Sequence, residues 1–354
     1  MILHDVYFCL GCVSGGHAMQ VFLDPAILFF VFGVLAASVK SNLEIPSAIS
    51  RFLSLYLLMA LGLKGGFALA HSGFTREVAT SLGSAIALAV VIPLLGYAVL
   101  RRYLSGFDAA AVAATYGSVS AVTFVTAVQY LDNNSIAFGG HMAAAMALME
   151  SPAIILAVFF ANSHRQQQAA RSNLQIQNGV AVLAVSSSGP SHSLKKILHE
   201  SFTDGAQLLL LGAMLVGVIT GETGKAAMQP FSGDLFKGML AFFLLDMGLM
   251  TARSVHQLKG ISPGLLMYAV LAPILHAALA LVIALFTQVS RGDATLLMVL
   301  AASASYIAVP AVLRTAIPEA KPSLYIGMSL GITFPLNLLI GIPSYTWVSG
   351  QFFS

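Results

Sequence analysis

Charge is what this sequence has least of. Only 9% of its 354 residues are Asp, Glu, Lys or Arg, against about 25% in an average soluble domain. So few ionic groups cannot cover a water-exposed surface, and the composition is that of a membrane protein. Cysteine is nearly absent too. The two present, Cys9 and Cys12, form one CxxC; without a second pair or a flanking His it is a weak signal for metal or redox chemistry. The start has no basic stretch of the kind that opens a signal peptide. Residues 1–18 precede Met19 and the first regular pattern, and the segment 1–20 is read as an extension outside the fold. No His/Asp/Ser or metal-ligand set recurs at useful spacing, which argues against an enzyme. No cofactor and no nucleic acid are expected.

Apolar residues make up 58% of the chain. A helix needs ~20 mostly apolar residues to cross a bilayer, and the sequence supplies ten such runs. Their limits are 25–40, 52–70, 80–100, 108–131, 139–161, 203–220, 235–252, 263–287, 292–314 and 323–348. The one long polar stretch, 162–201, divides the chain into halves at 21–161 and 202–350. Within it VAVLAV is too short to span. Ten spans with the N-terminus outside place Lys40, Arg51, Arg101, Arg102, Arg165, Arg171, Lys195, Lys196, Arg253, Lys259, Arg314 and Lys321 in the cytoplasm, twelve of seventeen basic residues. By the positive-inside rule both termini are then outside and the linker is cytoplasmic.

Five spans per half is an odd number, so a repeat between the halves must be inverted in the membrane. Laying Asp108 on Asp293 sets DAAAVAATYGSVSAV over DATLLMVLAASASYI. Ser118 then meets Ser303, and Ser120 meets Ser305. Pro93 with Pro273, Gly62 with Gly248 and Pro152 with Pro335 follow in the same order. Inverted repeats are a common plan for secondary transporters. The expected fold is all-α, with ten transmembrane helices in two inverted five-helix repeats and with helices 4 and 9 broken and crossing.

The breaks are TYGSVSAVT (115–123) and AASASYIAVP (301–310). Freed backbone groups at mid-membrane are tolerated only where protein buries them or water reaches them. Small residues and hydroxyls suit such a place, since they admit another helix or an ion and cap the half-helix that follows. Pro310 belongs in a first turn, where its missing N–H costs nothing. Two half-helix N-termini, near Ser120 and Ser305, then present unpaired N–H groups and partial positive charge to a small anion. The carbonyls at the ends of the first halves suit a coupling cation. Glu150, in the fifth span, is a cation ligand or proton carrier by default, and Asp246 is a less specific candidate. Lys64, His141, His276 and Asn337 are further residues that could line a cavity, Lys64 pairing with an acid such as Glu150 or Asp246. Arg314 snorkels to the cytoplasmic interface.

GSVSAVT (117–123), ASASYIAVPAVLRTAIPEAKPSLYIG (302–327) and MESPAIILAVFFAN (149–162) resemble the sodium-dependent bicarbonate transporter family of cyanobacteria, the SbtA type. The resemblance runs over roughly 21–348 and is strongest after Ala301. It implies a core and a gate domain each built from both repeats, a homotrimer, and carriage of bicarbonate with sodium between the broken helices, in the plasma (bacterial inner) membrane. It implies Gly117, Ser118, Ser120, Thr123, Ser303, Ser305 and Tyr306 at the substrate. Glu150, Ala301 and Ser303 are implied at sodium, which is the coupling ion and not a cofactor. A PII-like regulatory protein at the cytoplasmic face is a further implied partner. Ala304, Tyr306, Ala308, Val309 and Ala311 depart from the family pattern, Tyr306 standing where relatives carry an acid, so the chain reads as a divergent member. Two other functions fit the same breaks: a cation/proton antiporter, which needs carboxylates near the crossing, and a non-transporting anion sensor that signals through the linker.

Overall fold

The structure, a computed structural model, describes residues 24–73, 75–174, 205–255, 258 and 260–353. The N-terminal segment with Cys9 and Cys12, and the linker from 175 with its VAVLAV patch, lie outside the described residues. Every regular element among those described is helical. Helix α1 (Pro25–Ser38) starts with Asp24 accepting from the Ala26 N–H at 2.8 Å. It is followed by α2 (Ser47–Ser72), α3 (Arg76–Leu100) and two short pieces, α4 (Gly106–Gly117) and α5 (Ala121–Asn133). Helix α6 (Met142–Leu174) continues well past 161, so the first residues of the polar stretch are helical.

The second half begins with α7 (Gly205–Met228) and α8 (Leu235–Val255). Gly221 interrupts α7 with φ 52°, a backbone conformation that glycine takes without steric penalty. The widened turns Gln229–Asp234 join the two helices, and the Tyr56 hydroxyl donates to the Phe231 carbonyl there. Next come α9 (Pro263–Thr287), the short pair α10 (Arg291–Ala302) and α11 (Ala308–Ala316), and α12 (Pro322–Phe352), which has widened turns at Ser329–Thr333 and Asn337–Gly341.

Seven helical stretches among the described residues are long and apolar enough to cross a membrane. One of them, Gly205–Val255, has 51 residues. At ~1.5 Å per residue that is more than twice the ~30 Å of a hydrocarbon core, and the break at Gly221 with the turns after it is where the chain redirects.

Packing sorts the helices into two groups. Helix α1 lies along α8 and α2 along α7, and glycines set both crossings. Gly33 and Gly248 face each other, and a Cβ built on Gly33 falls 2.3 Å from the Leu245 carbonyl oxygen. Gly66 meets Gly217 in the same way across α2 and α7. Such close approach lets dispersion and weak polar contacts hold helices together where lipid removes the hydrophobic drive. The other group packs α4 against α3 and α6, and α10 against α9 and α12. Leu28, Phe29 and Phe32 of α1, Leu215 and Ile219 of α7 and Leu275 and Phe286 of α9 are exposed, an outward apolar surface that suits lipid.

Both short pairs are anchored alike. Ser105 caps α4 by accepting from the Asp108 N–H (3.1 Å), and the Asp108 carboxylate accepts from the Lys321 N–H at 2.9 Å. Ser290 caps α10 through the Asp293 N–H (3.4 Å), and the Asp293 carboxylate accepts from the Gly139 N–H at 2.6 Å. In each case a first-turn acid ties its helix to the loop before a longer one.

Candidate functional site

The two breaks meet. Ser118 ends α4 in an extended conformation and Ser120 caps α5 by accepting from the Thr123 N–H at 3.2 Å. Across the joint, the Ser120 N–H donates to Ser303 Oγ at 2.9 Å, and the Ser303 hydroxyl donates onward to the Leu300 carbonyl at 2.8 Å. In return the Ser305 N–H donates to the Thr115 carbonyl at 2.8 Å. The Ser305 hydroxyl accepts from the Val309 N–H at 3.2 Å, and Pro310 falls in the first turn of α11. Each break thus satisfies part of the other's backbone, which a lipid environment requires.

A cavity of about 200 Å³ opens at this joint. At ~30 Å³ per water molecule it holds about six waters, room for a small oxyanion with part of its hydration. Ser120, Ala121 and Val122 line it from the start of α5, and Ser305, Tyr306, Ile307 and Ala308 from the start of α11. First-turn N–H groups have no intrahelical partner, so the cavity lies at two positive helix ends. Neither α5 nor α11 has an acidic residue in its first turn, whereas α4 and α10 have Asp108 and Asp293. No first-turn acid offsets the charge at the breaks, and the carboxylate on this cavity is that of Glu150 in α6.

Of the residues anticipated at substrate, Ser120, Ser305 and Tyr306 therefore share one cavity wall. Ser118, Thr123 and Ser303 are buried behind it, and the Ser118 hydroxyl has no partner among the described residues. Gly117 is a packing position: a Cβ there would fall 2.6 Å from Pro93. Tyr306 packs its ring edge-on against Phe334, with 5.2 Å between centroids, and its hydroxyl reaches Met247 Sδ at 3.6 Å. Of those anticipated at sodium, Glu150 lines the cavity and accepts a hydrogen bond from Gln207 of α7. Ala301 and Ser303 are buried. The carbonyl ends of α10 already have protein partners: Ala301 has His276, and Ala302 accepts from Asn337 at 2.7 Å.

Lys64 faces neither Glu150 nor Asp246. It pairs with Asp132 of α5 at 3.5 Å and sits 4.3 Å above the Phe236 ring, because it lies nearly five turns into α2, nearer the far end of α5. There it lines a larger cavity of about 520 Å³, with Asp132, Glu222, Lys225 and His71. Charges of both signs pair within that cavity, so its size does not make it the anion site. His141 contacts Asp293 at 3.2 Å and Asn337 bonds Tyr345; both serve structure. Sequence reasoning missed Gln207 and Ser54 on the smaller cavity's wall, since neither stands in a broken segment. It also missed Glu319. The guanidinium of Arg165 binds both Glu319 oxygens, at 2.8 and 2.7 Å, and holds that carboxyl below its usual range.

An apolar all-helical chain in which two interrupted helices meet around a small polar cavity belongs to the class of integral membrane proteins that handle a solute inside the bilayer. The sequence matches the profile of the Na+-dependent bicarbonate transporter superfamily over residues 25–350, and the chain belongs to that superfamily. No curated protein matches the chain. Sodium in such a transporter is a carried ion rather than a cofactor.

Proposed function

We propose that the chain is a secondary active transporter that imports bicarbonate, or a similarly small anion, together with sodium. The anion sits in the cavity between the breaks, against the first-turn N–H groups of α5 and α11, with the hydroxyls of Ser120, Ser305 and Tyr306 beside it. The observation that carries this is the pair of helix N-termini, neither with an acid in its first turn, on one cavity. An anion bound by backbone dipoles needs no Arg or Lys at the site, and among the described residues none lines this cavity.

The same reading takes the chain as ten passes in two inverted five-helix repeats. Helices α4 with α5, and α10 with α11, each count as one broken pass, and α7 and α8 as two. The reciprocal hydrogen bonds at the joint and the matching Ser–Asp anchors of α4 and α10 support it. The α1, α2, α7, α8 group is the gate and the remainder the core. The basic-residue bias supports termini outside and a cytoplasmic linker. Cross-linking and native mass measurement would test the homotrimer and the PII-like partner that the family resemblance implies.

The function is tested with purified protein in proteoliposomes, by uptake of radiolabelled bicarbonate with and without an inward sodium gradient. Sodium-stimulated uptake that is reduced at least about tenfold by Ser120→Ala and by Ser305→Ala is the expected result, one charge-assisted contact being worth about that. Uptake indifferent to sodium, or untouched by both substitutions, would sink the proposal.

A further inference from the structure

Asp246 stands near the midpoint of α8, at the level of the breaks, and is 5% exposed. Its Oδ2 has no hydrogen-bond partner among the described residues. An isolated ionised carboxylate at such a depth is strongly disfavoured, so something must balance it. Among the described residues, the Arg253 guanidinium offsets it only in part. Arg253, two turns along α8, is exposed and turned to the Leu43 carbonyl at 3.5 Å, and Lys64 of α2 is engaged by Asp132.

The surroundings are oxygen-rich. The Ser50 side chain of α2 is a hydrogen-bonding neighbour of Asp246. One turn further, on the same face of α2, Ser54 lines the cavity at the breaks. The next residue of α8, Met247, receives the Tyr306 hydroxyl, which brings the cavity wall up to the segment of α8 that carries Asp246. Asp246 therefore adjoins the cavity across the seam between the two helix groups, on the side of the moving gate.

We propose that Asp246 supplies the carboxylate of a sodium site at this seam, with the Ser50 and Tyr306 hydroxyls beside it. Carboxylate and hydroxyl oxygens suit a hard cation, and one negative charge is balanced by a monovalent ion, where a divalent one would leave an excess buried charge. The other oxygens considered for sodium have protein partners: Glu150 has Gln207, Ala301 has His276, and Ser303 bonds both Ser120 and Leu300. A cation bound by α8 next to Tyr306 of the break would tie gate to core when the anion site is filled, which is a physical basis for coupling. The inference rests on sodium-coupled transport as proposed above.

The test uses the full-length protein, with equilibrium binding of radiolabelled sodium in detergent and, separately, the sodium dependence of bicarbonate uptake in proteoliposomes. Asp246→Asn is expected to weaken sodium binding at least about tenfold, the scale of one lost charge-assisted contact, and to raise the sodium needed for half-maximal uptake in parallel. Ser50→Ala gives a smaller shift in the same direction. Wild-type sodium affinity in Asp246→Asn overturns the site while leaving sodium-coupled transport standing. Should Asp246→Asn not yield monodisperse protein, Asp246→Glu and Ser50→Ala decide, and unchanged sodium affinity in both overturns it. Wild-type protein that binds no sodium, with uptake driven by a proton gradient and lost in Asp246→Asn, assigns the carboxylate to a proton and overturns both proposals.

Discussion

At the scale of single residues, the serines of the breaks divide by what their hydroxyls already do. Ser303 Oγ accepts from the Ser120 N–H and donates to Leu300, so Ser303→Ala leaves a buried N–H unpaired. The expected loss is about 1–3 kcal/mol of stability. The Ser118 hydroxyl has no partner among the described residues, and removing an unsatisfied buried group costs nothing structural, so Ser118→Ala leaves stability unchanged within about 0.5 kcal/mol. Thermal denaturation of the two purified variants separates them, and an equal loss in both would contradict the hydrogen-bond assignment. Both serines look alike in the sequence, as one member each of a Ser-x-Ser pair. Spacing brought the four serines to the breaks. Only the register of one break against the other shows which hydroxyl is spent on structure, and that register is set by a backbone N–H and a side chain 183 positions apart.

At the scale of helices, hydropathy and small-residue interruptions were enough to locate apolar helical stretches and the two interruptions at 118–120 and 303–307, because the bilayer imposes length and composition on a segment that crosses it. They did not locate the end of α6, which runs to Leu174 because helix formation continues past the apolar run. Nor did they anticipate the widened turns of α12 or the bend at Gly221, which depend on neighbours and on one residue's dihedral angle. Glycine shows the same divide. Gly33 is pressed against the Leu245 carbonyl of α8, while a Cβ on Gly83 of α3 meets nothing within 4 Å. Gly33→Ala forces α1 from α8 and is expected to cost about 1–3 kcal/mol. Gly83→Ala is expected to raise stability by about 0.5–1 kcal/mol, by removing backbone freedom from an open helical position. Melting temperatures moving in opposite directions would verify this, and a common direction would refute the packing assigned to α1 and α8.

For the molecule as a whole, the polar contacts lie at the joint, along the seam and at the ends of the helices. Arg165 binds the Ala316 carbonyl as well as Glu319, and so ties the extended end of α6 in the first half to the loop after α11 in the second. Arg165 lowers the pKa of Glu319, so the folded state keeps this carboxylate ionised more readily than the unfolded chain. Its contribution is in place above the unfolded value and disappears as pH falls through the folded one. Glu319→Gln should therefore melt below wild type at neutral pH and converge with it in acid; a constant gap across that range would show the pair to be inert. The joint between the breaks has a further consequence, for biosynthesis. The Ser120 N–H must wait for Ser303, 183 residues later. At about 5–20 residues per second, the ribosome needs on the order of 10–40 seconds to supply it. Through that interval the nascent first half stands in the bilayer with an open wound in α4–α5, which makes it a natural substrate for insertion chaperones and, if synthesis stalls, for membrane proteases.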